Sequence, residues 1–546
     1  MRGLRHHGTL LLLWLLSLGL IACQRDEPLI SSGQPLIVDG RTALRKGNGA
    51  EPQTLDPQRA EDVSSANILR DLYEGLVLMG PGARPIPGVA THWEESPDHL
   101  TWTFTLRAQA RWSNGDPVTA EDFVAGMRRS VDPKVGSNYG MILAPILHAE
   151  KVIAGKQPPQ ALGVEAVDAH TLRIRLKSPT PYLLGMLTHS TSLPIHRPSL
   201  AKYGERFTQP GHLISNGAYQ LVEWVPQSHI TLRRNPYYWN DGHTRIDEVR
   251  YYAIEDSAVE FARYRAGELD WAGVPTSQFR RVRKYLGQEL HVDPYFATYY
   301  YGFNLTRPPF KDALKLRQAL SMAIDRDIIT QYVLGGGELP AYGWVPPGIA
   351  GYTGAELPYA HWTREQRLAQ ARKLYREAGY SPEHPLSVEI RYNTSDENRK
   401  LSLAIAQMWK QALGVQVSLF NEEWKVFLQN RKQKRVTEAF TAGWVGDYPD
   451  PYTFLELMRS DYGINDTGYH SQTYDALLDQ VTRLPAGVER NRLMQQAEAQ
   501  MLADQPVMPV FYYVGKRLLK PWVQGYQPNI MNQHYTKDLA IRRPAG

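Results

Sequence analysis

The chain contains one cysteine, Cys23, so everything that follows it has to fold without a disulfide or a thiolate-held metal. Core burial must carry the stability. Arg2 and Arg5 precede an apolar run from Leu10 to Ile21, which closes on Ala22 just before that cysteine. A basic start, a short apolar run and a small residue form the tripartite pattern of a signal peptide. The run is about a dozen residues, against the roughly 20 that a bilayer-spanning helix requires. Residues 1–22 are therefore expected to be a cleaved leader and the protein to be exported.

The remainder of the 546-residue chain is too long for one hydrophobic core and long enough for two or three domains. Residues Gln24 to Pro35 are polar with no apolar period, which suits a tether, and the fold is expected to begin near Leu36. A net charge of +5 spread over 61 basic and 56 acidic residues gives no reason to expect nucleic acid. The basic cluster from Arg431 to Arg435 is too short for a polybasic tail and reads as solvated surface.

Alternation in Leu100–Leu106 and Leu172–Leu176 predicts half-buried strands, so the first third is β-rich. From Phe310 onward the period becomes helical, with Leu316, Ala319, Leu320, Ala323, Ile324 and Ile328 on one face. Thr363 and Gln366 make a capping box for a further helix that Gly379 would end. Strand candidates Leu386–Tyr392 and Val415–Phe420 bracket a helix over Leu401–Leu413, the order of a βαβ unit. The class is α/β with mixed sheets.

No H-E-x-x-H, P-loop, G-x-S-x-G or cysteine nucleophile occurs in the chain. The histidines outside the leader stand singly, with no pair at ligand spacing. No catalytic residue, metal site or cofactor is expected. Gly335-Gly336-Gly337 lacks a following Lys-Ser/Thr and reads as a turn. Aromatic residues are abundant, 13 Trp and 31 Tyr, in clusters such as Tyr299-Tyr300-Tyr301 and Phe511-Tyr512-Tyr513. Such density suits either a core or a recognition cleft.

Motifs along the chain decide between those uses. Glu51-Pro-Gln-Thr-Leu-Asp-Pro57, Tyr73-Glu-Gly-Leu76 and Trp112-Ser-Asn-Gly-Asp-Pro-Val-Thr-Ala-Glu-Asp-Phe123 resemble the extracellular solute-binding proteins of peptide-type ABC importers. Asn216-Gly-Ala-Tyr219, Arg234-Asn-Pro-Tyr-Tyr-Trp239, Thr298-Tyr-Tyr-Tyr301, Tyr392-Asn-Thr-Ser-Asp396, Gly443-Trp444 with Asp447-Tyr448, and Lys520-Pro-Trp-Val523 are similar to the oligopeptide-binding branch. Leu20-Ile21-Ala22-Cys23 resembles the bacterial lipobox, which implies lipidation at Cys23 and a periplasmic protein held at the cell envelope only by that anchor.

The resemblance implies a two-lobed, three-domain fold of the periplasmic-binding-protein type with a hinge between lobes. Domain I would take residues 36–73, 196–296 and 514–546, domain II residues 74–195, and domain III residues 297–513, behind a lipidated tether of residues 23–35. It also implies a monomer with two kinds of partner, a peptide ligand and the membrane subunits of an ABC importer. The peptide would lie extended and be held through its backbone like an added strand. Glu61 to Val63 on one lobe and Ala442, Gly443, Trp444 and Val445 on the other would be its strand-like partners, and Asp447 would meet its α-ammonium. Tyr139 and Trp424 fall at ligand-lining positions, and Arg431 at a basic position that meets the peptide carboxylate. The chain departs from the branch at the other carboxylate-binding positions, where Leu334 stands for Lys, Asn398 for His, Thr441 for Arg and Gly302 for a pocket Glu. Modified or longer peptides, including cell-wall peptides, thereby become plausible ligands. A chaperone or sensor of the same fold, uncoupled from transport, is the alternative reading.

Overall fold

The computed structural model describes residues 28–542. The leader and Cys23 lie outside the described residues. One mixed sheet of twelve strands runs through both lobes. In the first lobe, β1 (Arg41–Gly47) lies parallel to Glu248–Tyr252, which pairs antiparallel with His229–Arg234. The chain then forms helix α1 (Val63–Leu72), started by Asp62, whose carboxylate accepts from the Ser65 N–H at 2.7 Å. A separate four-stranded antiparallel sheet includes Thr101–Leu106 and Thr171–Arg175. The alternation predicted for Thr101–Leu106 buries Trp102, Phe104 and Leu106 on one side.

The second lobe is built on β2 (Leu290–Phe303), β3 (Ser387–Asn393), helix α2 (Asp396–Leu413), β4 (Gln416–Glu422), helix α3 (Trp424–Gln433), β5 (Ala439–Val445) and β6 (Val507–Leu519). β3, α2 and β4 form the expected βαβ unit, with β3 and β4 parallel. Ser395 caps the start of α2, and Gly414, at φ +76°, ends it in the left-handed region. The Thr363–Gln366 capping box starts a helix over Arg364–Glu377, and Gly379 follows its end at φ +91°. The helix expected through Phe310–Ile328 is instead broken. Leu314–Met322 ends, and Asp325 caps a new turn at Arg326. The break lets the buried Arg326 guanidinium donate to the Ala341 and Pro509 carbonyls, both at 2.8 Å.

β2 and β6, of 14 and 13 residues, pair with each other over most of their length. Their antiparallel register is interrupted between Pro294 and Thr298, where the Phe296 N–H donates to the Ile530 carbonyl. One hydrophobic core lies mainly between Phe296 and Phe511, and a second spans Leu44 to Tyr251. A small third cluster gathers around Tyr264 and Leu518. Tyr299, Tyr300, Tyr301 and Phe511 are core residues of the second lobe, so much of the aromatic density packs the interior.

Candidate functional site

A cavity of about 770 Å³ lies between the lobes, with Tyr139 and Tyr182 on the first and Trp444, Asp447, Tyr448 and Glu456 on the second. The strand that leads into it has an open edge. β5 pairs with β2 along its whole length, from Ala439↔Phe303 to Val445↔Ala297. On its other side, β3 covers only Ala439 and Phe440. The Gly446 N–H donates to the Phe296 carbonyl at 2.8 Å. Antiparallel alternation then turns the backbone groups of Ala442 and Trp444 toward β2, and those of Gly443 and Val445 toward the open side. A side chain at Gly443 would be crowded, since a Cβ there would lie 2.9 Å from the Tyr513 hydroxyl.

Asp447 stands two residues beyond this edge. Its N–H donates to Thr453 Oγ1 at 3.3 Å, and no cation pairs with its carboxylate among the described residues. Burial pushes the carboxyl up to about 7. Glu456 lines the same cavity and is pushed up to about 8, mainly by burial, with the Asp447 charge adding and a hydrogen bond from Tyr448 opposing. The basic groups on the walls are already engaged: Arg459 with Asp461 and Asp479, and Lys177 with Glu150. The cavity thus presents two carboxyls without counter-ions. Tyr182 stacks on Tyr448 with ring centres 4.4 Å apart, which brings the lobes together beside Asp447. The buried indole Nε1 of Trp444 has no partner. Such a set of groups is suited to hold a cationic end and an extended backbone.

The other expected residues are distributed unevenly. Tyr139 lines the cavity and stacks on His189 at 5.3 Å. Glu61 accepts from Asn138 Nδ2 at 2.5 Å at the rim. The expected strand-like segment is extended at Asp62 but not at Val63, which is the first helical residue of α1 and is 67% exposed. Asp62 acts as the cap and turns the chain there. Trp424 begins α3, 52% exposed, packed on Phe427 and outside the cavity lining. Arg431 is placed away from the cavity lining, ion-paired with Asp466 at 2.5 Å and lying over the Phe427 and Phe440 rings.

Leu334 and Thr441 are buried, and the Asn398 side chain accepts from the Tyr299 hydroxyl at 2.8 Å. At Gly302 a Cβ would lie 2.3 Å from the Phe440 ring, so no Glu side chain fits that position here. Tyr182 and Glu456 were not singled out from the sequence, and Tyr448 entered only as part of the Asp447-Tyr448 motif. Glu456 had a local signal, a carboxyl shortly after Asp447 in an aromatic stretch, whereas Tyr182 comes from the opposite lobe and had none.

A two-lobed mixed α/β frame, a cleft between the lobes and an open strand edge leading into it are the features of a solute-binding protein. Residues 84–466 match the bacterial extracellular solute-binding proteins, family 5 (middle), and the chain belongs to this family. It is 41% identical over 506 residues to the periplasmic oligopeptide-binding protein OppA of Escherichia coli, covering 92% of this chain and 93% of that one. It is 38% identical to the periplasmic murein peptide-binding protein MppA of Escherichia coli, covering 88% and 89%. Among solved structures, Haemophilus influenzae OppA in complex with the peptide RPPGFSPFR superposes with a TM-score of 0.79 at 36% identity, covering 92% of this chain and 99% of that one.

Proposed function

We propose that this protein captures oligopeptides between its lobes, outside the cytoplasmic membrane, and delivers them to an ABC importer. The observation that carries this reading is the open edge of β5 ending at an unpaired carboxylate. Gly443 and Val445 offer a backbone ladder for an extended peptide, and Asp447 offers the counter-ion for its amino terminus. The oligopeptide-binding and murein-peptide-binding relatives support it. The role is binding without chemistry. Domain limits at residues 36–73, 196–296 and 514–546, at 74–195 and at 297–513 are part of this reading, and the irregular pairing of β2 and β6 between Pro294 and Thr298 supports those near 296 and 514 alone.

The cations that would fix a terminal carboxylate in the second lobe are replaced at Leu334, Asn398 and Thr441, and Arg431 is taken by Asp466. This favours modified or cell-wall peptides as a second reading. Native mass spectrometry of protein purified from its own host envelope is expected to show copurified peptides, with the mass identifying free or modified termini. A bound non-peptide mass would overturn the assignment.

The proposal includes a leader over residues 1–22, an acylated Cys23 as the sole membrane attachment, and a monomeric body. Cys23→Ser is expected to leave the fold unchanged and move the protein to the soluble extracytoplasmic fraction. Each buried methylene of an acyl chain contributes about 0.8 kcal/mol, so stable anchoring depends on the acyl chains together. Fractionation with immunoblotting reads the result, and a Cys23→Ser protein that stays with membranes lacking the importer argues against lipidation.

A further inference from the structure

α1 places Val63, Asn67 and Arg70 at the helical spacing that shares one face, with the exposed Val63 at its start. Arg70 is half-buried, and two buried arginines, Arg317 and Arg326, also lack a carboxylate but donate to backbone carbonyls instead. Arg45, Arg129 and Arg490 each hold a carboxylate, on Asp270, Asp56 and Asp450. The guanidinium of Arg70 donates to the neutral Asn67 Oδ1 at 2.8 Å and has no ion-pair partner among the described residues. The adjacent Asp71 is engaged elsewhere, accepting from the Tyr251 hydroxyl at 2.6 Å and from the Thr536 N–H at 2.9 Å. Lys46 and Arg517 add positive charge nearby, both lying over the Trp271 ring.

Arg70 lines a cavity of about 60 Å³ together with His189, Ser190, Gln533 and Tyr535. The Gln533 side-chain oxygen in that lining is buried with no partner. His189 is pushed down to about 4 by burial and by the Arg70 charge, so it adds no cation there. The cavity adjoins the peptide cleft, since His189 stacks on Tyr139, which lines the Asp447 cavity. Tyr295 stands within electrostatic reach of both ends: burial raises its hydroxyl, Arg70 and Arg517 lower it, and Asp447 raises it. A liquid water takes about 30 Å³, so the space suits a group of two or three heavy atoms such as a carboxylate.

We propose that Arg70 receives a carboxylate of the bound ligand, giving the cleft an anion subsite on the first lobe opposite the ammonium site at Asp447. This rests on the peptide reading above. A half-buried guanidinium with one neutral side-chain partner keeps N–H groups available, and a ligand carboxylate with two oxygens matches its fork. The subsite would supply a cation that Leu334, Asn398 and Thr441 do not.

Calorimetric titration of wild type, Arg70→Gln and Arg70→Lys with trialanine, trialanine amide and Ala-Glu-Ala amide tests it. Arg70→Gln is expected to weaken trialanine about 10- to 100-fold, through loss of a charge-assisted hydrogen bond, and the amide hardly at all. Arg70→Lys should fall between. A selective loss with Ala-Glu-Ala amide in place of trialanine would support the subsite and identify the carboxylate as a side chain's. Equal loss with all three probes, with apo thermal unfolding unchanged, would overturn it. N-acetyl-trialanine separates the two readings: if acetylation abolishes binding while Arg70→Gln has no selective effect, the peptide reading stands and the subsite falls. If wild type binds no probe, both fall.

Discussion

Asp447→Asn is expected to weaken binding of a free-amino peptide by about 30- to several-thousand-fold, the effect of removing one partner from a desolvated charge pair costing about 2 to 5 kcal/mol. Closure strips water from the ammonium, and without the carboxylate that charge stays enclosed and uncompensated. N-acetylated peptides lack the ammonium, so they should bind wild type poorly and respond little to the substitution. Titrating both ligands against both proteins isolates the contact as a coupling energy, and a value near zero would make Asp447 a turn residue.

The pH dependence has a definite sign. The folded carboxyl is raised to about 7 from an ordinary value near 4, so ionising it costs the ligand-free fold progressively as pH rises through that window. Asp447→Asn should therefore leave the apo protein at least as stable at neutral pH. An arriving ammonium requires the ionised form. Affinity should decline as pH drops from 7 to about 5, with proton release visible in buffers of different ionisation enthalpy.

Val445→Pro tests the other half of the site and should abolish peptide binding with the sheet intact. The Val445 N–H faces the open edge of β5, so its loss removes no bond to β2, while the proline ring occupies the path of an added strand. A ladder of backbone bonds contributes about 1 kcal/mol each, and displacing the peptide loses several of them together, a change of 100-fold or more. Circular dichroism and thermal unfolding verify the fold. Unimpaired binding would show that the ligand does not pair with β5.

Features set by neighbours in sequence were the ones that could be read. The Thr101–Leu106 alternation and the Thr363–Gln366 box follow from a period or from hydrogen bonds three residues apart, and both stand as expected. Asp447 could be picked out for the cleft it lines because its Gly-Trp-x-x-Asp-Tyr setting carries the family resemblance, whereas its contact with a ligand is a proposal. Arg431 looked available because Asp466, its partner, lies on a distant loop that only folding brings near. Val63 looked extended because a single capping carboxylate at Asp62, one position earlier, decides where the helix starts. The stacking of Tyr182 on Tyr448 joins opposite lobes, and no local period announces it. That Arg70 has no ion-pair partner among the described residues is likewise visible only in three dimensions.

The order of strands in the large sheet also governs how the molecule is completed during synthesis. β6 pairs with β2 on one side and with Trp271–Gly273 on the other, so the sheets of the two lobes are joined through a strand late in the chain. A nascent chain stopped before Val507 would hold two unjoined half-sheets, each with an unpaired edge available for aggregation. Assembly must therefore await pairings between segments far apart in the chain, which makes folding slow. Late completion of this kind leaves time for a polypeptide to be threaded through a membrane before its tertiary structure closes.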